Sequence, residues 1–96
     1  MFDYNPLTQI FMFYFYVPQS LKDRNLYFGY SDNLKRRVVE HEKGRVDSTS
    51  AHRPLLLVYY EAYQSEMDAR VRERQIKRRA NAYTSLRRRI QDCLVQ

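Results

Sequence analysis

The sequence predicts an α+β domain: a small three-stranded, mostly antiparallel sheet flanked by three helices, in the order β-β-α-β-α-α. Three observations predict it. Runs dense in aromatic and β-branched residues recur at 11–17, 26–30 and 55–63, each at strand length. Apolar residues at helical spacing occupy 32–43 and two further segments after residue 65. Turn residues and breakers separate these segments.

Residues 1–10 read as a lead-in with Pro6 as a breaker, which leaves 11–96 as the domain. Phe11 to Val17 (F-M-F-Y-F-Y-V) forms the first strand, and Pro18 is expected to end it. Gln19 to Asn25 is a polar turn, and Leu26 to Tyr30 returns as the second strand of a hairpin. Ser31 or Asp32 can cap a helix that runs to about Lys43 and stops at Gly44. On it Leu34, Arg37, Val38 and His41 share one arc. Gly44 to Pro54, with Ser48, Thr49, Ser50 and His52, reads as a flexible surface loop. Leu55 to Tyr63 is the third strand, and its apolar character on both faces predicts a central, well-covered position. Ser65 with Asp68 is a capping-box variant opening a helix to about Arg79, and Asn81 is expected to break or bend the chain. Tyr83, Leu86, Ile90, Cys93 and Leu94 form the stripe of a last helix, with Cys93 a small core residue. Tyr14, Tyr59, Tyr60 and Tyr63 read as strand packing with a wet hydroxyl.

Composition bounds the function. Ninety-six residues make one domain. A hydrophobic fraction of 44% excludes a disordered tail. Seventeen Lys+Arg against eleven Asp+Glu give +6, which points to an anionic partner: nucleic acid, an acidic membrane surface or an acidic protein. The charge is uneven. Residues 70–89 hold nine Lys/Arg and one acid, a balance of +8, and the rest of the chain balances at −2. A single cysteine excludes an internal disulfide and a thiolate zinc site, and favours a reducing, cytoplasmic compartment. The longest apolar run, 10–17, is too short to span a membrane and has no signal-peptide flanks. No G-x-S-x-G elbow and no phosphate-cradling glycine loop occur.

Three features carry candidate chemistry, each with a bland reading beside it. Ala69, Glu73, Ile76 and Ala80 stand at i, i+4, i+7 and i+11, so Glu73 lies on an otherwise small or apolar stripe. It is either an internal salt bridge to a neighbouring arginine or a ligand for a hard cation, which one carboxylate plus waters and substrate phosphate can hold. Arg37 and His41 share a helical face. They are either a solvated flank or a phosphate fork beside a proton-transfer group. Tyr16 and Tyr27 fall on the two hairpin strands and can face each other, with packing as the alternative.

Taken together, these residues resemble the GIY-YIG endonuclease superfamily over about 12–94. Phe15-Tyr16-Val17 and Tyr27-Phe28-Gly29 stand where that family has its two tripeptides. Asp32 to His41 is similar to its D-L-x-x-R-x-x-E-H helix, Arg53-Pro54 and Leu57 to Glu61 to its third strand, and Ala69 to Lys77 to its metal-binding helix. In size the chain resembles small stand-alone members related to the catalytic domain of the bacterial excision-repair nuclease. The resemblance implies catalytic roles for Tyr16, Tyr27, Arg37, His41 and Glu73. The tyrosines would handle the attacking water, Arg37 the scissile phosphate, and Glu73 a single Mg²⁺ or Mn²⁺. Arg36, Arg72, Lys77, Arg78 and Asn81 are expected to contact nucleic acid. Both tripeptides are variants, and Tyr30 stands where some relatives carry a basic residue.

The implied function is metal-dependent DNA endonuclease, with repair or mobile-element processing as settings and RNA as an open substrate. Target choice falls to nucleic-acid structure or to a protein partner; the chain is expected as a monomer or weak dimer. A non-catalytic nucleic-acid-binding module and a domain docking an acidic protein are the alternatives.

Overall fold

The structure, a computed structural model, describes residues 11–96. The predicted lead-in, 1–10, lies outside the described residues. Strands β1 (Phe13–Ser20), β2 (Gly29–Ser31) and β3 (Leu55–Tyr63) form one antiparallel sheet in the order β2-β1-β3. Helices α1 (Leu34–Glu42), α2 (Asp47–Ser50), α3 (Glu66–Arg78) and α4 (Ala80–Arg89) complete the domain with a short 3₁₀ turn at Gln91–Cys93. The α+β class and the order of the main elements are as the sequence predicts.

Alternation along β1 assigns the faces. Phe15 and Val17 point to one side and form the core with Ile76 of α3 and Leu86 and Ile90 around α4. Tyr16, between them, points to the other side and meets His41 of α1. The sheet is therefore covered by α1 on one face and by α3 and α4 on the other.

Several expectations need correction. Pro18 does not end β1. Val17 pairs with Tyr59 and Pro18 with Leu57, which leaves Val58 as the extra residue of a bulge. The missing proline N–H falls where the ladder is already interrupted, and the Pro18 carbonyl still accepts from Tyr27 N–H at 2.9 Å. The second strand is shorter than predicted, with Leu26 contributing only an isolated bridge to Gln19. β3 is an edge strand, not the central one. Its two apolar faces reflect helices on both sides of the sheet rather than strands on both edges, and Leu56 and Tyr60 remain exposed.

The cap of α1 is Asn33, whose side chain accepts from Arg36 N–H at 3.0 Å; Ser31 and Asp32 do not take that role. Gly44, at φ +72°, takes the left-handed position after the helix, which a glycine occupies without strain. The following segment is not a loose loop: it folds into α2, where Thr49 is buried. Ser65 caps α3 by accepting from Asp68 N–H at 3.2 Å. The break between α3 and α4 lies at Arg79, in an extended conformation, and Asn81 sits inside the first turn of α4. Past Ile90 the backbone tightens to 3₁₀, so the helical phase changes: Leu94 packs on the core and Cys93 is exposed. Ala80, beyond the break, is exposed as well. Among the strand tyrosines, Tyr60 is exposed and stands edge-on to Tyr14 at 5.9 Å between ring centroids, while Tyr59 and Tyr63 donate to the Glu61 carboxylate.

Candidate active site

β1 delivers Tyr16 to the α1 face, and β2 makes room for it. Tyr16 pairs with Gly29, and a Cβ at Gly29 would stand inside the van der Waals envelope of Tyr16 Cζ and Oη. Glycine is required there because an aromatic ring lies across the backbone.

Around the Tyr16 hydroxyl, α1 places two side chains one turn apart. Arg37 Nε donates to it at 3.1 Å, and His41 Nε2 lies 2.8 Å away. Arg37 Nη1 also donates to Glu40 at 3.1 Å. On its far side the His41 ring is held by Thr49, with Nδ1 2.8 Å from Oγ1. α3 contributes Glu73, one turn after the buried Ala69, and Lys77 Nζ sits 3.1 Å from its carboxylate. These groups open onto a pocket of about 130 Å³, lined by Tyr16, Tyr27, Arg37, His41, Glu73 and Lys77 among others.

Environment tunes the titratable groups. Burial raises Tyr16 above the ordinary phenol value of 10.0, against a smaller downward pull from Arg37. Burial lowers His41 below 6.5, helped by the Arg37 charge and opposed by Glu40, so the imidazole is neutral near pH 7. Burial also pulls Arg37 down, but hydrogen bonds to Tyr16 and Glu40 outweigh it and raise the guanidinium above its ordinary value. A neutral imidazole, a fixed cation and a protonated phenol therefore meet at one oxygen.

The structure gathers all five of the expected catalytic residues at this pocket. Tyr16 and Tyr27 do not face each other directly, because Gly29 is the partner of Tyr16. Tyr27 reaches the rim instead, its ring 5.3 Å from that of His52, which is paired with Asp23 at 2.7 Å. Glu73 is bridged by Lys77 rather than by an arginine, and its side chain retains 21% exposure toward the pocket.

The expected nucleic-acid contacts separate. Lys77 lines the pocket. Arg36 is exposed, pairs with Asp32 at 2.9 Å, and borders an adjoining groove that shares Arg37 with the pocket. Arg78 and Asn81 are exposed outside the pocket. Arg72 is elsewhere: it makes a two-pronged pair with Glu61 at 2.9 and 3.1 Å. Thr49 is the site residue that sequence reasoning missed. No periodicity marks it, since it reaches His41 across the turn at Gly44.

Among the described residues no cluster of three or more His, Cys, Asp or Glu side chains can cage a metal. The donor set at the pocket is one carboxylate beside hydroxyl oxygens. That fits a hard cation that keeps most of its waters and takes oxygen ligands from substrate. It does not fit a closed structural zinc site.

A family model described as GIY-YIG catalytic domain matches residues 12–90. The chain belongs to the GIY-YIG family. Tyr16 and Gly29, which the resemblance sets in the two tripeptides, are in contact across β1 and β2. The family is one of nucleases, so the chain carries a nuclease-type domain. Curated relatives have the same scale. A UPF0213 protein of Pediococcus pentosaceus is 42% identical over 71 residues, covering 73% of this chain and 74% of the relative. One of Lactiplantibacillus plantarum is 35% identical over 78 residues, covering 78% and 76%. One of the archaeon Natronomonas pharaonis is 42% identical over 65 residues, covering 67% and 75%. No solved structure matches the chain. No helix of the described residues is long and apolar enough to cross a membrane.

Proposed function

We propose that this chain is a divalent-cation-dependent endonuclease that hydrolyses phosphodiester bonds in DNA and leaves a 5′-phosphate. The observation that carries the reading is the Tyr16 hydroxyl, held between Arg37 and His41 in the pocket that Glu73 borders. Binding alone would not need a carboxylate and a neutral imidazole in the same pocket.

A phosphodiester is anionic and weakly electrophilic, so hydrolysis needs an activated water and fixed positive charge at the phosphate. Tyr16 oxygen accepts a proton from the attacking water while its own proton passes to His41 Nε2, 2.8 Å away. One proton leaves water and one arrives on the imidazole; the water oxygen bonds to phosphorus as the bond to the 3′-oxygen breaks, and that oxygen takes a proton from solvent to leave as a 3′-hydroxyl. Arg37 stabilises the phenol oxygen through Nε as this happens, and the part of its guanidinium not engaged by Tyr16 and Glu40 would meet the phosphate. Tyr27, at the rim, orients the water or the strand. Glu73 would hold Mg²⁺ or Mn²⁺ by its carboxylate, and the cation supplies charge neutralisation at the phosphate. Lys77, which pairs with Glu73 here, would be free to contact the nucleic-acid backbone where a cation takes that carboxylate.

The test is a cleavage panel of branched, single-stranded and supercoiled DNA, with and without Mg²⁺ or Mn²⁺. Glu73→Ala is expected to abolish cleavage while DNA binding persists. Equal cleavage by wild type and variant overturns the assignment. Binding without turnover on any substrate, in any metal, would instead favour a non-catalytic binding module. The same panel tells repair-type branched substrates from others and includes an RNA arm.

A further inference from the structure

Among the described residues, the hydrogen bonds around the Tyr16 hydroxyl close in one way when each proton is counted. Tyr16 is 2% exposed and His41 6%. Arg37 Nε donates to the phenol oxygen, and a guanidinium accepts nothing in return. The Tyr16 hydroxyl proton therefore needs a different acceptor. Among the described residues the group in reach is His41 Nε2 at 2.8 Å. That nitrogen must be bare, which puts the proton of the neutral ring on Nδ1. Nδ1 then donates to Thr49 Oγ1 at 2.8 Å. The Thr49 hydroxyl turns its own proton to the Val46 carbonyl, a longer contact at 3.4 Å. In the opposite tautomer Arg37 and His41 would both donate into the phenol oxygen, and its proton would have no acceptor among the described residues.

Thr49 is well placed to enforce the choice. It is 1% exposed. α2 fixes its backbone, with Thr49 and Ser50 N–H both donating to the Val46 carbonyl at 3.1 and 2.9 Å. Its oxygen therefore has a defined position beside Nδ1 of the His41 ring.

We propose that Thr49 is a positioning residue that holds His41 in the Nδ1–H tautomer, so that Nε2 faces the Tyr16 hydroxyl as a proton acceptor. The catalytic consequence rests on the nuclease reading above; the tautomer does not.

Long-range proton–nitrogen correlation on ligand-free, ¹⁵N-histidine-labelled protein at neutral to mildly alkaline pH separates protonated from bare ring nitrogens. Wild type is expected to show His41 protonated at Nδ1 and bare at Nε2. Thr49→Val, which keeps the shape and removes the hydroxyl, is expected to lose that signature, and Thr49→Ser to keep it. In cleavage assays Thr49→Val should lower kcat by about 100-fold, the low end of what general acid–base catalysis contributes, with KM unchanged. Thr49→Ser should restore turnover. His41 protonated at Nε2 in wild type overturns the proposal, and so does an unchanged signature in Thr49→Val. If Thr49→Val does not fold, the wild-type spectrum still decides. An Nδ1–H signature in a protein that cleaves nothing supports the tautomer and overturns the nuclease reading, so the two failures are distinct.

Discussion

Gly29 faces Tyr16 across β1 and β2, and the aromatic ring occupies the space that any side chain there would need. Gly29→Ala is therefore expected to displace a buried tyrosine, at a stability cost of about 1–3 kcal/mol, the range for overpacking. The fall in turnover should exceed what that loss of stability explains, because the Tyr16 oxygen leaves Arg37 and His41. Urea unfolding beside cleavage rates on the folded variant checks this; unchanged turnover would mean that Tyr16 is not at the reacting centre. His41 sets the pH dependence. Burial and Arg37 hold it below 6.5 in the folded chain, whereas the unfolded chain takes up its proton near 6.5. The stability tied to this group is thus full above about 6.5 and is lost as pH falls toward the depressed value. Turnover should hold at pH 6.5 and decline only below it, as the acceptor nitrogen is protonated. A pH–rate profile shows where the acid limb falls, and thermal unfolding at several pH values should show a shallower acid decline in His41→Gln. Tyr16, Arg37, His41 and Glu73 were named through the resemblance of their motifs to a family pattern; period alone set Arg37 and His41 on one helical face and Glu73 on a small, apolar stripe, and left packing, a solvated flank and a salt bridge as equally natural readings. Thr49 was not, because its position depends on how the chain folds back after Gly44.

Element boundaries show where sequence patterns stop being informative. The third strand was legible to the residue, since an unbroken aromatic and aliphatic run has no competing period. Its place in the sheet was not, because two covered faces arise equally from a central strand and from an edge strand between helices. Pro18 misled for a related reason: a proline is excluded from an intact ladder, and the bulge at Val58 is invisible until the partner strand is known. Arg72 shows the same limit among charges. It stands in a basic run, yet it is clamped to Glu61 at the junction of α3 and β3, where Tyr59 and Tyr63 also donate. Burial first, and then hydrogen bonding to that carboxylate, push both phenols up to about 12. Arg72→Ala is expected to destabilise the fold by about 2–3 kcal/mol, because it leaves a half-buried carboxylate without its cation. Denaturant unfolding measures this directly. DNA affinity, taken where both proteins are folded, should change little; a large loss of affinity would make Arg72 a backbone contact.

Across the whole molecule the net charge of +6 divides into a compensated pocket and an uncompensated flank. Arg37 pairs with Glu40, Lys77 with Glu73, Arg36 with Asp32 and Arg70 with Glu66. Arg87, Arg88 and Arg89 close α4 and are exposed, and among the described residues none of them forms an ion pair. Arg37→Ala should therefore reduce turnover much more than Arg88→Ala. Arg88→Ala should instead weaken DNA binding uniformly across sequences and flatten the log K against log[salt] slope by about 0.9. Salt titrations on both variants separate the two effects, and an inverted order would place the phosphate grip on α4. One further feature ties the ends of this architecture together. The buried Gln19 side chain, on the strand that carries Tyr16, accepts from Val95 N–H at 2.7 Å and donates to the Val95 carbonyl at 3.0 Å, across 76 positions. The strand that carries Tyr16 is thus anchored by a residue 76 positions away, and its anchoring depends on the chain beyond α4 folding back onto β1.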